Sequence, residues 1–438
     1  MARLDEVKGH AVRLFGKGEA LHALRLFDSI VAAAPLEFES RIKVGDCLVA
    51  LGLKEQAEAV YRGVARYALK SGHPLASLVC ARVLESIGGE FEDLLAMLVV
   101  FYGNESEMIG KFAARINLPK EDTEIAAPDL HSSVVADFAG KAAERAATCT
   151  DNYEAFPETV HGIPLLSEMS EEAFRRVLST LIIRRLPEGE FVIREGEPGQ
   201  SFFFVATGEV RVFATDGLGR DKELARLHEN AVFGEMALLS AQPRNASVQV
   251  VDEADLLEVT RESLAALADE VEPVATALHR FTRERLLNNM MATNPLFRPF
   301  SGAQRRDLLR RFTSHDVGSG TDIILEGDEG RGLFVVLTGE VEVVKSSGGT
   351  STPLATLRAG DVFGEMSLVR GGPTSATVRA ATATTVLFLA LEYVERIVAG
   401  VPAIKEYLLA LASDRELDTK LAMESEYEEL DADAIILI

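Results

Sequence analysis

The chain reads Phe233-Gly234-Glu235-Met236-Ala237-Leu238-Leu239, then Ser240-Ala241-Gln242, then Pro243-Arg244-Asn245-Ala246-Ser247-Val248. A glycine at 234 lets the backbone approach a neighbour or ligand closely. Residues 235–239 suit one helical turn, whose first amides would point outward and favour an anion. The Glu235 carboxylate has the wrong sign for that anion and suits a sugar hydroxyl. Nine residues later Arg244 arrives as the chain re-enters a strand. Its guanidinium fork matches two oxygens of a phosphate. Ala246, small and apolar, leaves room for a ring system.

Outward from this stretch the chain repeats itself. Val232-Phe233-Gly234-Glu235-Met236-Ala237-Leu238-Leu239 recurs as Val362-Phe363-Gly364-Glu365-Met366-Ser367-Leu368-Val369, 130 residues on. Arg194-Glu195-Gly196-Glu197-Pro198-Gly199 and the following Phe202 to Val210 recur, offset by 131, as Leu325 to Gly330 and Leu333 to Val341. Short apolar runs bounded by glycine turns (Phe191 to Ile193, Phe202 to Val205, Val210 to Phe213 and their second copies, Asp322 to Leu325, Leu333 to Leu337, Val341 to Val344) predict two tandem jelly-roll barrels. Helical patterns flank them: Ser170 to Ile182 and Ala303 to Phe312 lead in, and Glu262 to Met291 and Leu391 to Leu421 trail out.

Ahead of the barrels the chain reads as helix. Gly18, Ala23, Phe27 and Pro35 set a spacing that Gly52, Ala57 and Tyr61 repeat 34 residues later, with Gly45 before them. Small residues let two antiparallel helices approach, an aromatic fills the gap between hairpins, and proline ends the second helix. This resembles tetratricopeptide repeats, with a faint third copy around Leu75 to Ile87. An ordinary helical bundle is the alternative. The expected use is a surface for a protein partner. The polar stretch with Pro119, Pro128 and Pro157 reads as a linker carrying a short helix near Ser132 to Ala147.

The cassette resembles the phosphate-binding segment of the cyclic nucleotide-binding domain family, which includes protein kinase A regulatory subunits, nucleotide-gated channels and bacterial catabolite activators. The resemblance covers 163–290 and 294 to about 415. It implies that Glu235 takes the ribose 2′-hydroxyl, that Arg244 and the amides of Gly234 to Ala237 take the cyclic phosphate, and that Phe233, Met236, Asn245 and Ala246 line the site. Asn245 fits neither the guanine nor the adenine habit of that position, so cAMP is the default on family frequency and cGMP stays open. A cap for the base is expected from the trailing helix or the neighbouring domain, with Phe281 or Phe297 as candidates.

In the second copy Gly364, Glu365, Met366 and Ser367 keep the pattern, but Thr374, followed by Ser375, stands in the place of Arg244. Losing a charge-assisted hydrogen bond costs ~1.5–3 kcal/mol, roughly 10- to 150-fold in affinity. Arg370 could fold back to replace it. Otherwise the second domain binds weakly or not at all and serves for packing or homodimerisation.

The resulting expectation is an α+β multidomain chain: helical hairpins at 1–117, a linker at 118–160, a first barrel domain at 161–291, a second with a degenerate cassette at 292–415, and an acidic tail at 416–438. Ligand in the first barrel would rearrange the domains and change partner binding; the alternative is a nucleotide-independent scaffold. The formal charge of −23 excludes a nucleic-acid or anionic-membrane surface and demands a local pocket for any anion. The acidic end, Glu426 to Asp433, is no DNA reader. The apolar Ala434 to Ile438 suits either a strand added to a partner or a disordered terminus. No Walker loop, kinase signature or nucleophile elbow occurs, and His228 and His315 stand alone in their barrels, so neither catalytic residues nor a metal are expected. Scattered Cys47, Cys80 and Cys149, an N-terminus without an apolar leader and no long apolar run make a cytoplasmic protein the expectation.

Overall fold

The structure, a computed structural model, describes residues 2–110, 112–126, 135–148, 155–215, 220–235, 243–244, 246–270, 283–284, 286–288, 290–291, 294–347 and 350–435. The chain forms two compact units, Met1–Phe281 and Thr282–Ile438.

The first unit opens with a short strand β1 (Ala2–Arg3) and six helices: α1 (Leu4–Gly16), α2 (Ala20–Ala33), α3 (Phe38–Ala50), α4 (Lys54–Ser71), α5 (Pro74–Ser86) and α6 (Glu92–Tyr102). They stack as three hairpins. Gly18, Gly52 and Gly88 turn the chain within each hairpin at φ of +82°, +76° and +74°, where a side chain would be strained. Ala23 and Ala57 are buried at the helix contacts, and Phe27 and Tyr61 are fully buried. A Cβ on Gly45 would sit 2.7 Å from the Tyr61 ring, so only glycine admits that ring.

The segment expected as a linker is instead part of this body. Strand β2 (Glu124–Ile125) pairs with β1, and α7 (Val135–Ala147) packs against α2, α3 and α4. Ala139, Ala142, Ala143 and Ala146 form a narrow buried stripe along α7. The buried Arg41 guanidinium donates to the carbonyls of Arg145 (2.7 Å) and Ala146 (2.8 Å), capping the helix end. These contacts correct the linker expectation.

Next come α8 (Glu171–Thr180) and the first barrel: β3 (Ile182–Leu186), β4 (Phe191–Ile193), β5 (Ser201–Thr207), β6 (Val210–Thr215), β7 (Asp221–Leu227), β8 (Val232–Phe233), β9 (Ser247–Val250) and β10 (Ala254–Thr260), closed by α9 (Arg261–Glu270). The sheets run β3-β10-β5-β8 and β4-β9-β6-β7. Phe203 and Val205 face the barrel core, whereas Phe202, Phe204 and Ala206 join one continuous core with the helical hairpins. That is why Ser201–Thr207 is buried throughout instead of alternating.

Ion pairs reinforce this junction. Arg185 on β3 bridges Asp46 of α3 (2.7 Å) and Asp255 of β10 (2.8 Å). Tyr61 donates to the same Asp46 oxygen at 2.7 Å. Burial alone would raise the Asp46 carboxyl, but Arg185 and Lys43 hold it below its ordinary range. Lys43 also pairs with Glu253, and His73 on the α4–α5 turn pairs with Glu229 at 2.8 Å.

The second unit repeats the barrel: α10 (Gly302–Leu309), β11 (Thr313–Val317), β12 (Asp322–Ile324), β13 (Gly332–Thr338), β14 (Glu340–Ser347), β15 (Thr350–Arg358), β16 (Val362–Phe363), α11 (Glu365–Arg370), β17 (Thr377–Ala380) and β18 (Thr384–Ala390). Its strand orders, β11-β18-β13-β16 and β12-β17-β14-β15, match the first barrel one for one. The trailing helix expected over Leu391 to Leu421 is two helices, α12 (Leu391–Gly400) and α13 (Pro402–Ile435), because Pro402 starts a new one. Helix α13 runs through the expected tail to Ile435, so the terminal strand alternative does not hold there; residues 436–438 lie outside the described set.

Candidate functional site

The first cassette is set by the backbone on either side of it. Gly234 follows β8 at φ +83°. A Cβ there would lie 2.9 Å from Arg244 Nη1 and 3.0 Å from Ile193 Cδ1, so both conformation and space require glycine. Arg244 is stitched to the turn after β4: its amide donates to Glu197 O (2.8 Å), and its carbonyl accepts from Gly196 (2.8 Å). From that anchor the side chain reaches inward and is almost wholly buried. Nη1 donates to Gly234 O at 2.6 Å and Nη2 to Ser201 O at 2.7 Å. Burial pulls the guanidinium below its ordinary range, and Glu258, Glu197 and Glu235, in that order, pull it back up. Glu235 is itself buried, and Ala246 is half-buried at the start of the next strand.

The structure therefore brings Arg244 to Gly234 and Glu235, with Phe233 just before that turn and Ala246 two residues beyond Arg244. Met236, Ala237, Asn245 and the proposed cap Phe281 lie outside the described residues, as does part of the helix expected over Glu262 to Met291. Phe297, the other cap candidate, is fully buried and packs edge-on against Phe312, 6.0 Å away in the second unit, so it serves as core.

The second cassette has the same backbone and different chemistry. Gly364 sits at φ +84°, and the Thr374 amide and carbonyl make the equivalent bonds to Asp328 O (2.8 Å) and from Gly327 (2.9 Å). Helix α11 is the turn expected after the glycine. Thr374 Oγ1 donates to Leu325 O at 2.5 Å, away from Gly364. Glu365 is 1% exposed and paired at 2.7 Å with Arg415 of α13, a residue that sequence reasoning missed. Arg370 does not take up the fold-back alternative. It donates to Glu416 (2.8 Å) and Ser413 (3.3 Å), so α13 holds both ends of α11. Ser367 Oγ donates to Gly364 O, and the exposed Ser375 hydroxyl points to Met366 Sδ at 3.4 Å. The hollow left among Phe363, Glu365, Met366, Thr374, Val378 and Arg415 is about 60 Å³. Small-molecule sites usually begin near ~300 Å³, so it is too small for a nucleotide as it stands.

Two tandem barrels with this cassette define a class. The family pattern described as Cyclic nucleotide-binding domain matches residues 183–271 and 315–400, and the chain belongs to that family. It is 30% identical over 266 residues to the "cAMP-dependent protein kinase regulatory subunit" of Yarrowia lipolytica, covering 60% of this chain and 67% of the relative. It is 25% identical over 241 residues to the "cAMP-dependent protein kinase type II regulatory subunit" of Drosophila melanogaster, covering 55% of this chain and 60% of the relative. The chain thus spans about two thirds or less of these relatives' length. Among solved structures it is similar to the regulatory domain of Toxoplasma gondii PKA with cAMP: 22% identity, TM-score 0.28, 57% of this chain and 92% of that one. Among the described residues no helix is long and apolar enough to cross a membrane.

Proposed function

We propose that this chain is a cytoplasmic cyclic-nucleotide sensor and adaptor whose first barrel takes one cyclic nucleotide, cAMP by the family's prevailing use. Arg244 meets the cyclic phosphate, Glu235 the ribose 2′-hydroxyl, and the hairpins, read as tetratricopeptide-like, meet a protein partner. The observation that carries this is the buried Arg244 guanidinium, held against the carbonyls of Gly234 and Ser201 beside Glu235. In a chain with 23 excess negative charges a phosphate needs such a local cation to bind at all. The paired turn of Gly18, Gly52 and Gly88 supports the repeat reading.

The route from ligand to partner surface is short. Glu229, which pairs with His73, lies just ahead of β8 and the cassette. Ligand that shifts the cassette shifts the turn on which the hairpins rest. Coupling then requires the ligand to favour one arrangement of that turn.

Calorimetry tests the assignment. The intact chain should bind about one cAMP, and Arg244→Ala should weaken it by about 10- to 150-fold. Equal affinity in the variant would end the assignment. For the second barrel the scaffold reading is favoured, because Arg415 already occupies the Glu365 carboxylate.

A further inference from the structure

Duplication provides an internal comparison of what surrounds Arg244. Strand β10 pairs with β5 so that Glu258 stands opposite Phe203 and Thr260 opposite Ser201, whose carbonyl accepts from Arg244. Glu258 shares a face with Leu256, which belongs to the barrel core, and is 9% exposed. Arg184 on β3 holds its far side, Nε to Oε2 at 2.7 Å. Glu258 thus pairs on one side with the half-exposed Arg184, and on the other it faces along β10 toward the Ser201 position of β5, whose carbonyl takes the buried Arg244.

The second barrel has lost the whole cluster together. In the same register, Phe388 stands opposite Phe334 where Glu258 stands opposite Phe203. Thr374 replaces Arg244, and His315 replaces Arg184. Phe388 packs on Phe334 (4.8 Å between centroids) and on His315 (6.1 Å). A barrel without the arginine has filled the carboxylate's place with a ring. A buried carboxylate with one cation withdrawn is costly, whereas removing the whole set is not.

We infer that Glu258 is the resident counter-ion of Arg244, standing in for the ligand's phosphate in the empty barrel and thereby lowering the first cassette's affinity for anions. This rests on the reading of Arg244 as the phosphate group. Its sign follows from linkage: the empty site depends on Glu258 for charge balance, and the filled site has the phosphate as well. Removing Glu258 therefore destabilises the empty protein more than the filled one, and binding tightens.

Two measurements on the intact chain separate this inference from the functional reading. Without ligand, Arg244→Thr and Glu258→Phe should each lower the melting temperature, and the double variant should melt higher than either. Glu258→Gln replaces the Phe variant should that one not fold. Losses that simply add would overturn the pairing. With ligand, Glu258→Gln should bind cAMP about tenfold more tightly while its affinity for adenosine, which has no phosphate, stays unchanged. Unchanged or weaker cAMP binding, or an equal gain for adenosine, would overturn the affinity role. If neither wild type nor variant binds any cyclic nucleotide, the functional reading and the affinity role both fall, and the ligand-free cycle still decides the pairing.

Discussion

Where the first barrel carries Arg244 against the carbonyls of Gly234 and Ser201, the second carries Thr374 turned to Leu325, and where the first leaves Glu235 beside that arginine, the second ties Glu365 to Arg415. The backbone hardly differs: the glycine torsions are +83° and +84°, and the same two loop bonds hold residue 244 or 374. One fold therefore supports two electrical states. In the first, a buried cation is held by two backbone carbonyls, those of Gly234 and Ser201. In the second, the carboxylate is neutralised by a helix that the barrel itself brings along. Persistence of a fold says little about persistence of a ligand; four or five side chains decide it.

The largest effect that would sharpen this contrast lies where the first barrel meets the hairpins, a junction with no counterpart among the described residues of the second unit. Arg185→Ala strands Asp255 and leaves Asp46 only Lys43 and Tyr61, and chemical denaturation should show a loss of about 3 kcal/mol. A loss below about 1 kcal/mol would mean the apolar contact alone joins them. Next, Arg415→Ala leaves Glu365 buried without its partner. Thermal melting should register about 2 kcal/mol, and an undisturbed melting curve would show that the pair does not hold the second cassette shut.

A smaller effect appears with pH. The Asp46 carboxyl is held low in the folded chain, so its contribution is fully present above the unfolded value near ~3.9 and is lost as pH falls through the lower folded value. Asp46→Asn should flatten the acid limb of a stability–pH curve below about pH 4; an identical limb would locate acid sensitivity elsewhere. The smallest expected change is none. Thr374→Arg alone should add no second cAMP to the calorimetric stoichiometry, because Arg415 and a cavity of about 60 Å³ remain. A second equivalent bound would break the comparison outright.

What sequence could disclose divides along contact distance. Gly234, Glu235 and Arg244 are legible because the cassette is nearly contiguous, and the duplication shows where the second copy departs. Arg415 lies 50 residues beyond Glu365, and Asp46 lies 139 before Arg185. No local pattern encodes either meeting. Helix α7 was visible as a helix, but its alanine stripe, apolar without being bulky, was outweighed by the prolines and polar residues around it. Phe202-Phe203-Phe204 did carry an unused signal. An antiparallel strand apolar on successive residues has both faces covered, which implies a neighbour the barrel does not itself supply.

That strand has a practical corollary for anyone cutting the protein into pieces. A fragment starting near residue 161 would strip the hairpins from Phe202, Phe204, Leu257 and Val259, baring an oily flank and leaving Arg185 only Asp255 beside it. Such a fragment would clump, and its poor behaviour would be misread as a defect of the first cassette. Excision of the sensor should begin at the first hairpin.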